Sequence, residues 1–317
     1  MATATRGAGG RTGAGPAERT ADPPGTRPGR RRTTDRAYYW MLLPAVVLFF
    51  VFHTLPVLQG IFYSFTDSPG YGDYSWVGLS NYAALVTDDR IRSAYLFTFG
   101  FAAVSTVLVN ALALALAVGL NGRIAFRRTL RGLYFVPNVL AILVIGYVFQ
   151  YLFSTSLPAI ATALGVDRLS TSILADPALA WVGIVVLAVW QATAFNIIIY
   201  LAGLQTVDPD LYEAAAIDGA SPWRRFWSIT FPLIAGFFTI NMVLALKTFL
   251  QVFDHVVAMT DGGPGTATES VALVIYRGGF QGGEYGYQIA NAVVFMIVIM
   301  VFAVVQLRVL QRREVDA

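Results

Sequence analysis

The sequence predicts an all-α polytopic membrane protein with six transmembrane helices and cytoplasmic N- and C-termini. Three observations lead there. The 317-residue chain is 56% hydrophobic and only 13% charged, about half the charged share of an ordinary soluble domain. The missing charge leaves long windows with almost no ionisable residue, the mark of membrane helices. Arginines gather at alternate connections between those windows.

The elements follow in order. Residues 1–37 are rich in Gly, Ala, Pro and Arg and lack apolar period. Such a segment buries too little surface to offset its ordering entropy, so a disordered cytoplasmic tail is expected. Arg30-Arg31-Arg32 stands before an apolar stretch in the manner of a twin-arginine signal. That stretch is too long for a signal core and ends in no small-residue cleavage site, so it reads as a retained first span. A helix crossing about 30 Å of hydrocarbon needs roughly 20 residues. Six windows meet this: 39–62, 94–120, 133–153, 178–204, 229–250 and 287–307. They make residues 38–317 one membrane domain.

Arginine position sets the orientation. The tail carries eight, from Arg6 to Arg36. The second-to-third connection carries Arg123, Arg127, Arg128 and Arg131, the fourth-to-fifth Arg224 and Arg225, and the C-terminus Arg308, Arg312 and Arg313. The opposite side has only Arg90, Arg92, Arg168 and Arg277. Positive charge marks the cytoplasmic side, which accounts for the net charge of +3 without nucleic acid.

Several chemistries are excluded. There is no cysteine, so disulfides, thiolate metal sites and iron–sulfur clusters are out. His53 and His255 are too few for a zinc or haem site. Gly262-Gly263-Pro264-Gly265 lacks the Lys-Ser/Thr of a phosphate loop and reads as a tight outer turn. No Ser/His pair, carboxylate dyad or metal set lies within the spans, which argues against an intramembrane enzyme.

The connection 205–228 is the most informative stretch. Its core, VDPDLYEAAAIDGASPWRRFW, reads as two short helices joined by a turn. Asp210 is expected to cap the first, with Glu213 completing a capping box. Gly219 suits a left-handed helix end, Ser221 a second cap, and Pro222 the first position of the next helix. Ala214, Ala215 and Ala216 leave one side nearly bare. From the residues alone two readings stay open: a well-capped linker, or a surface on which another protein docks.

Glu213-Ala214-Ala215, then Asp218-Gly219-Ala220, then Phe226, Ile229 and Pro232, resembles the EAA motif of ABC importer permeases. Phe231 stands where that motif usually has leucine before its closing proline. WQATAFNIIIYLAGLQTVDPDLYEAAAIDGAS and TFLQVFDHVVAMTDGGPGTATES are similar to the sugar-permease branch, the maltose and glycerol-phosphate type. The resemblance implies a type I importer permease in a bacterial inner or plasma membrane. It further implies that Glu213, Ala214, Ala215, Asp218 and Gly219 form the coupling helix that docks on a cytoplasmic ATPase. This chain would bind no cofactor, ATP being used by two separate ATPase subunits. A second, different permease chain and an extracellular solute-binding protein would complete the assembly, the latter meeting outer loops 67–92 and 251–286.

Polar residues within spans are the other functional candidates, because each is costly in lipid. Asn110, Gln150, Gln191, Asn196, Asn241, Lys247 and Asn291 qualify, although hydrogen bonds between helices account for most such residues. Lys247 is expected to face a partner or a water-filled cavity, with Asp254 as counter-charge, or else to snorkel outward. Sugars require aromatic faces beside hydrogen-bonding groups. Trp190, Gln191, Phe195 and Asn196 on the fourth span, and Phe249, Phe253 and Asp254 around the end of the fifth, offer both. Trp190 and Gln191 are adjacent and cannot both face one pore fully. Two alternatives stand beside the sugar reading: a permease for another small solute, and a self-sufficient secondary transporter. Against the latter, the chain shows no clear internal repeat and no Asp or Glu in its central spans.

Overall fold

The computed structural model describes residues 36–122 and 126–315. The expected tail therefore lies outside the described residues except for Arg36 and Ala37, which already belong to a helix. Among the described residues there is no strand, only one isolated bridge between Thr66 and Trp76. The chain divides into two compact units, Met1–His53 and Thr54–Ala317.

In the first unit, α1 (Arg36–Phe49) carries Pro44 in its interior and runs into a π-turn, Phe50–Thr54. The rings of Phe49 and His53, one turn apart, pack at a tilt with centroids 4.7 Å apart. The second unit holds α2 (Leu55–Tyr63), α3 (Ser80–Thr87), α4 (Asp89–Asn121), α5 (Arg127–Val139), α6 (Ile142–Tyr151), α7 (Leu157–Ala163) and α8 (Ala180–Leu204). After these come α9 (Pro209–Ile217), α10 (Pro222–Arg225), α11 (Phe231–Leu233), α12 (Ala235–Leu250), α13 (Asp254–Met259), α14 (Val271–Tyr276) and α15 (Tyr285–Val315).

Among the described residues, five continuous spans are long and apolar enough to cross a membrane: Tyr39–Tyr63, Asp89–Asn121, Ile142–Ala163, Ala180–Leu204 and Tyr285–Val309. Pro222–Leu233 with Ala235–Leu250 supplies a sixth if taken together, but the pair is bent by 72°. Two expected windows are thereby corrected. The fifth, 229–250, is a broken segment rather than one straight helix. The third, 133–153, straddles the gap between α5 and α6, and its membrane helix runs instead over Ile142–Ala163. Pro137 supplies no N–H to the last turns of α5, and Leu140 and Ala141 are extended, so the helix cannot continue through the gap.

The centre of the second unit is α8 against α4. Ala102, Val109, Ala113 and Ala117 of α4 are wholly buried and recur at helical spacing. Small side chains let two backbones approach closely, which supplies packing where lipid offers no hydrophobic drive. The contact carries one polar bond, from the Tyr200 hydroxyl to Asn110 Oδ1 at 2.6 Å. Asn241 likewise donates to the Asn196 carbonyl at 3.3 Å, and Tyr95 to Asn291 Oδ1 at 3.1 Å. These three asparagines tie helices together, as the sequence leads one to expect for most polar residues in spans.

At the N-terminal end of α4, Asp88 caps the helix, accepting from the backbone N–H groups of Arg90 and Ile91 and from the Tyr287 hydroxyl. Burial tends to raise the Asp88 pKa, but these donors and Arg90 outweigh it and hold the carboxyl below its ordinary value. The stabilisation is present above the usual carboxylate range and fades as pH falls through it. Beside this cap Arg90 grips Glu269 with two bonds of 2.8 Å, and the Glu269 side chain is only 4% exposed. Arg277 approaches Glu269 at 3.6 Å and pairs with Asp261 at 2.6 Å. Gly262 and Gly265 adopt φ of +84° and +61°, making the expected tight turn, and Thr268 Oγ1 donates to the Gly263 carbonyl at 2.7 Å.

A methyl group on Gly146 in α6 would run into the Ala258 side chain of α13. Neither neighbour has a rotamer with which to yield. Gly146→Ala should therefore destabilise the protein by about 1–3 kcal/mol, visible as a lower melting temperature in detergent. Gly100→Ala, with open space around the new methyl, should leave it unchanged or raise it slightly.

Candidate functional site: a surface bend and a cleft between spans

The bend begins two residues earlier than expected. Pro209 takes the first position of α9, and Asp208, not Asp210, is the cap, accepting from the Asp210 N–H at 3.0 Å. Proline excludes helical geometry for the residue before it and loses nothing at a position whose N–H is free anyway. Among the described residues the Glu213 side chain makes no hydrogen bond or ion pair, so the capping box does not form. Its carboxylate is exposed.

The end of α9 is as expected. Gly219 adopts φ +74°, its N–H donates to the Ala216 carbonyl at 3.1 Å, and the Ala220 N–H donates to Ala215 at 2.9 Å. This paired closure satisfies the final carbonyls. Asp218 closes the helix and is exposed with Ala214, while Ala215 is half-buried. Ser221 caps α10 through the Arg224 N–H at 3.3 Å, with Pro222 first in the helix. The chain thus presents a short, rigid, small-faced helix whose Glu213 carboxylate is free.

A cleft of 370 Å³ opens between the α5–α6 gap, α8, α12 and α13, with Gln191, Phe195 and Asn196 on its wall. Gln191 Nε2 donates to the carbonyls of Pro137 at 3.4 Å and Leu140 at 3.3 Å, two groups exposed by the helix break. Its Oε1 meets His255 Nε2 at 3.0 Å. Asn196 Nδ2 donates to the Ala192 carbonyl, and its Oδ1 is buried with no hydrogen-bond partner among the described residues. Thr248, Phe249 and Asn138 also line the cleft. An apolar hollow with an aromatic wall and polar side chains at Gln191, Asn196 and Thr248 suits a ligand with both apolar and hydrogen-bonding surface.

The other pathway candidates are not brought here. Trp190 points away from Gln191 and packs on Phe149, centroids 5.3 Å apart. Phe253 lines a different cleft with Asp261, Tyr276 and Arg277. Lys247 is exposed on α12, and among the described residues no ion pair joins it to Asp254; the two are separated by the end of α12 at Leu250. Sequence reasoning missed His255, Thr248 and Asn138 as lining residues. The spacing of Asn241, Ala245 and Thr248 along one helix face was a legible signal for Thr248. Nothing local marked Asn138, which depends on the break beside it.

The family described as "Binding-protein-dependent transport system inner membrane component" matches residues 109–315. The chain belongs to that family. The permease is 34% identical over 90% of its length, and 99% of the relative's, to the multiple sugar-binding transport system permease protein MsmF of Streptococcus mutans. It is 33% identical over 86% of its length, and 92% of the relative's, to the trehalose/maltose transport system permease protein MalF of Thermococcus litoralis. A crystal structure of a bacterial ABC transporter that imports the acidic polysaccharide alginate shares its fold, with a TM-score of 0.77 over 88% of this chain and 96% of that one, at 23% identity. The permease is thus a multi-pass inner-membrane transport subunit of an ABC importer, not an enzyme.

The cap assignment has a direct check. Asp208→Ala should cost about 1 kcal/mol locally and speed amide exchange in the first turn of α9 about fivefold. Asp210→Ala should change it far less.

Proposed function

We propose that this permease carries a sugar or related polyol, delivered from outside by a solute-binding protein and driven by ATP hydrolysed on separate subunits. The observation that carries the substrate class is the cleft on α8, where Phe195 offers an aromatic face beside the polar side chains of Gln191, Asn196 and Thr248. Relatives named for multiple sugars and for trehalose and maltose point the same way. Gln191, Phe195 and Asn196 are the proposed substrate contacts. Trp190, Lys247, Phe253 and Asp254 lie off that surface. Lys247, exposed at the depth of a membrane segment, fits a role facing the second permease chain.

Glu213, Ala214, Ala215, Asp218 and Gly219 form the proposed ATPase-docking helix. Its support is geometric: a capped, closed helix with a bare alanine side and an unengaged carboxylate. In this reading α9 faces the cytoplasm with both termini, and two ATPase subunits press on it and on its counterpart in the second permease. ATP shifts the pair between inward- and outward-facing forms only to the extent that it binds one form better. No cofactor need be held by this chain.

The test is uptake of radiolabelled sugar by proteoliposomes holding the assembled importer and its binding protein. Glu213→Ala combined with Gly219→Pro should abolish ATP-driven uptake and ATPase retention. Intact uptake would remove the docking assignment. Gln191→Leu or Asn196→Leu should raise the KM for sugar at least tenfold, about 1.4 kcal/mol per lost polar contact. An unaltered KM in both would shift the substrate reading to another solute.

A further inference from the structure

We infer that Tyr212 is the residue through which α9 moves the membrane bundle, acting by a hydrogen bond to Thr230 at the root of the bent fifth span. The inference rests on the proposed docking role of α9 and adds the link from that helix to the cleft.

α9 is nearly detached from its own chain. Only Tyr212 and Ala215 are half-buried, and every other residue from Pro209 to Ile217 is exposed. Ala215 has a methyl group to offer, so Tyr212 supplies the one long side chain that reaches inward. Its ring packs on the apolar cluster formed by Ala117, Leu120, Leu204, Val207 and Ile234. Its hydroxyl lies 2.9 Å from Thr230 Oγ1.

Thr230 is not an arbitrary anchor. It is 5% exposed and ends the π-turn Phe226–Thr230. Its carbonyl accepts from the Ile234 N–H at 3.1 Å, and Ile234, wholly buried, is the residue at which the segment bends by 72° into α12. Leu244, Ala245, Thr248 and Phe249 of α12 line the cleft. A push on α9 thus enters the ring and hydroxyl of Tyr212, reaches the base of the bend, and is delivered to the cleft wall. A hollow of 270 Å³ beside the bond, bounded by Asn121, Gly122, Arg225 and Phe226, leaves room for that displacement. The π-turn adds compliance, since its wider ring is a less regular stretch of helix.

Tyr212 is therefore a positioning residue, and its loss should unlink two activities rather than abolish either. The assembled importer, reconstituted with its binding protein, is assayed for sugar uptake and ATP hydrolysis in the same vesicles. Tyr212→Phe keeps the ring and removes the hydroxyl; Thr230→Val keeps the shape and removes the other half of the bond. Each should lower the sugar transported per ATP by roughly three- to tenfold, the scale of one neutral hydrogen bond differing between two states. The double variant should be no worse than either single, because both remove the same bond. Thr230→Ser, which keeps the hydroxyl, should restore the ratio.

A wild-type ratio in Tyr212→Phe would overturn the inference. If in addition the Glu213→Ala, Gly219→Pro variant still transports, the docking role of α9 fails as well. If that variant is inactive while Tyr212→Phe is fully coupled, only the Tyr212–Thr230 link is wrong. A purely structural role predicts parallel loss of uptake and hydrolysis with an unchanged ratio, and that too would refute it.

Discussion

Inside a bilayer a backbone N–H or C=O has no water to turn to, so each must find its partner within the protein. This constraint makes the chain helical almost throughout and makes every interruption conspicuous. Where α5 stops at Pro137 and Leu140, the side chain of Gln191 from a neighbouring span covers the freed carbonyls. Where the fifth segment bends at Ile234, a π-turn and the Thr230 carbonyl absorb the change. The breaks are thus held by specific contacts, and those contacts lie beside the cleft and the proposed docking helix α9. Irregular backbone and function share the same addresses.

Gln191 illustrates how one group serves two demands. It fills the hydrogen-bonding needs of the α5–α6 gap, and through Oε1 it engages His255. This side chain thereby organises the cleft wall on which Phe195, Asn196 and Thr248 also stand. In the proposed substrate reading, recognition is partly built by the scaffold in advance, which lowers the ordering cost of binding.

Much of this was legible in the sequence, and the reasons for the exceptions are physical. Apolar length located the first, second, fourth and sixth spans to within a few residues, because hydrocarbon thickness is an external ruler. It failed for the third and fifth, because hydropathy averages over a break: residues 133–139 and 229–233 are apolar enough yet belong to other helices. The turn at Gly219 and the start at Ser221-Pro222 were readable from local sterics. The first cap was misplaced because Pro209 was not weighed against the acidic pattern at Asp210 and Glu213. Which polar residues meet across the cleft depends on tertiary packing, so Gln191 and Asn196 were recognisable while His255 was not. Trp190 fell away for the reason already visible in its adjacency to Gln191: neighbours on a helix diverge by roughly 100°.

Glu269 sits between two guanidinium groups and is almost fully shielded. Parting it from Arg90 would strand a charge in a dry place, a far larger penalty than sliding apolar surfaces past one another. The start of α4 and the Asp261–Arg277 loop must then travel as one piece. Since α4 is about 50 Å long and its other end lies near α9, a push on the proposed docking helix would arrive here as the tilt of a stiff rod rather than as local rearrangement. In the proposed transport cycle this end of the bundle is a hinged slab, whose movement is decided by where the rod pivots.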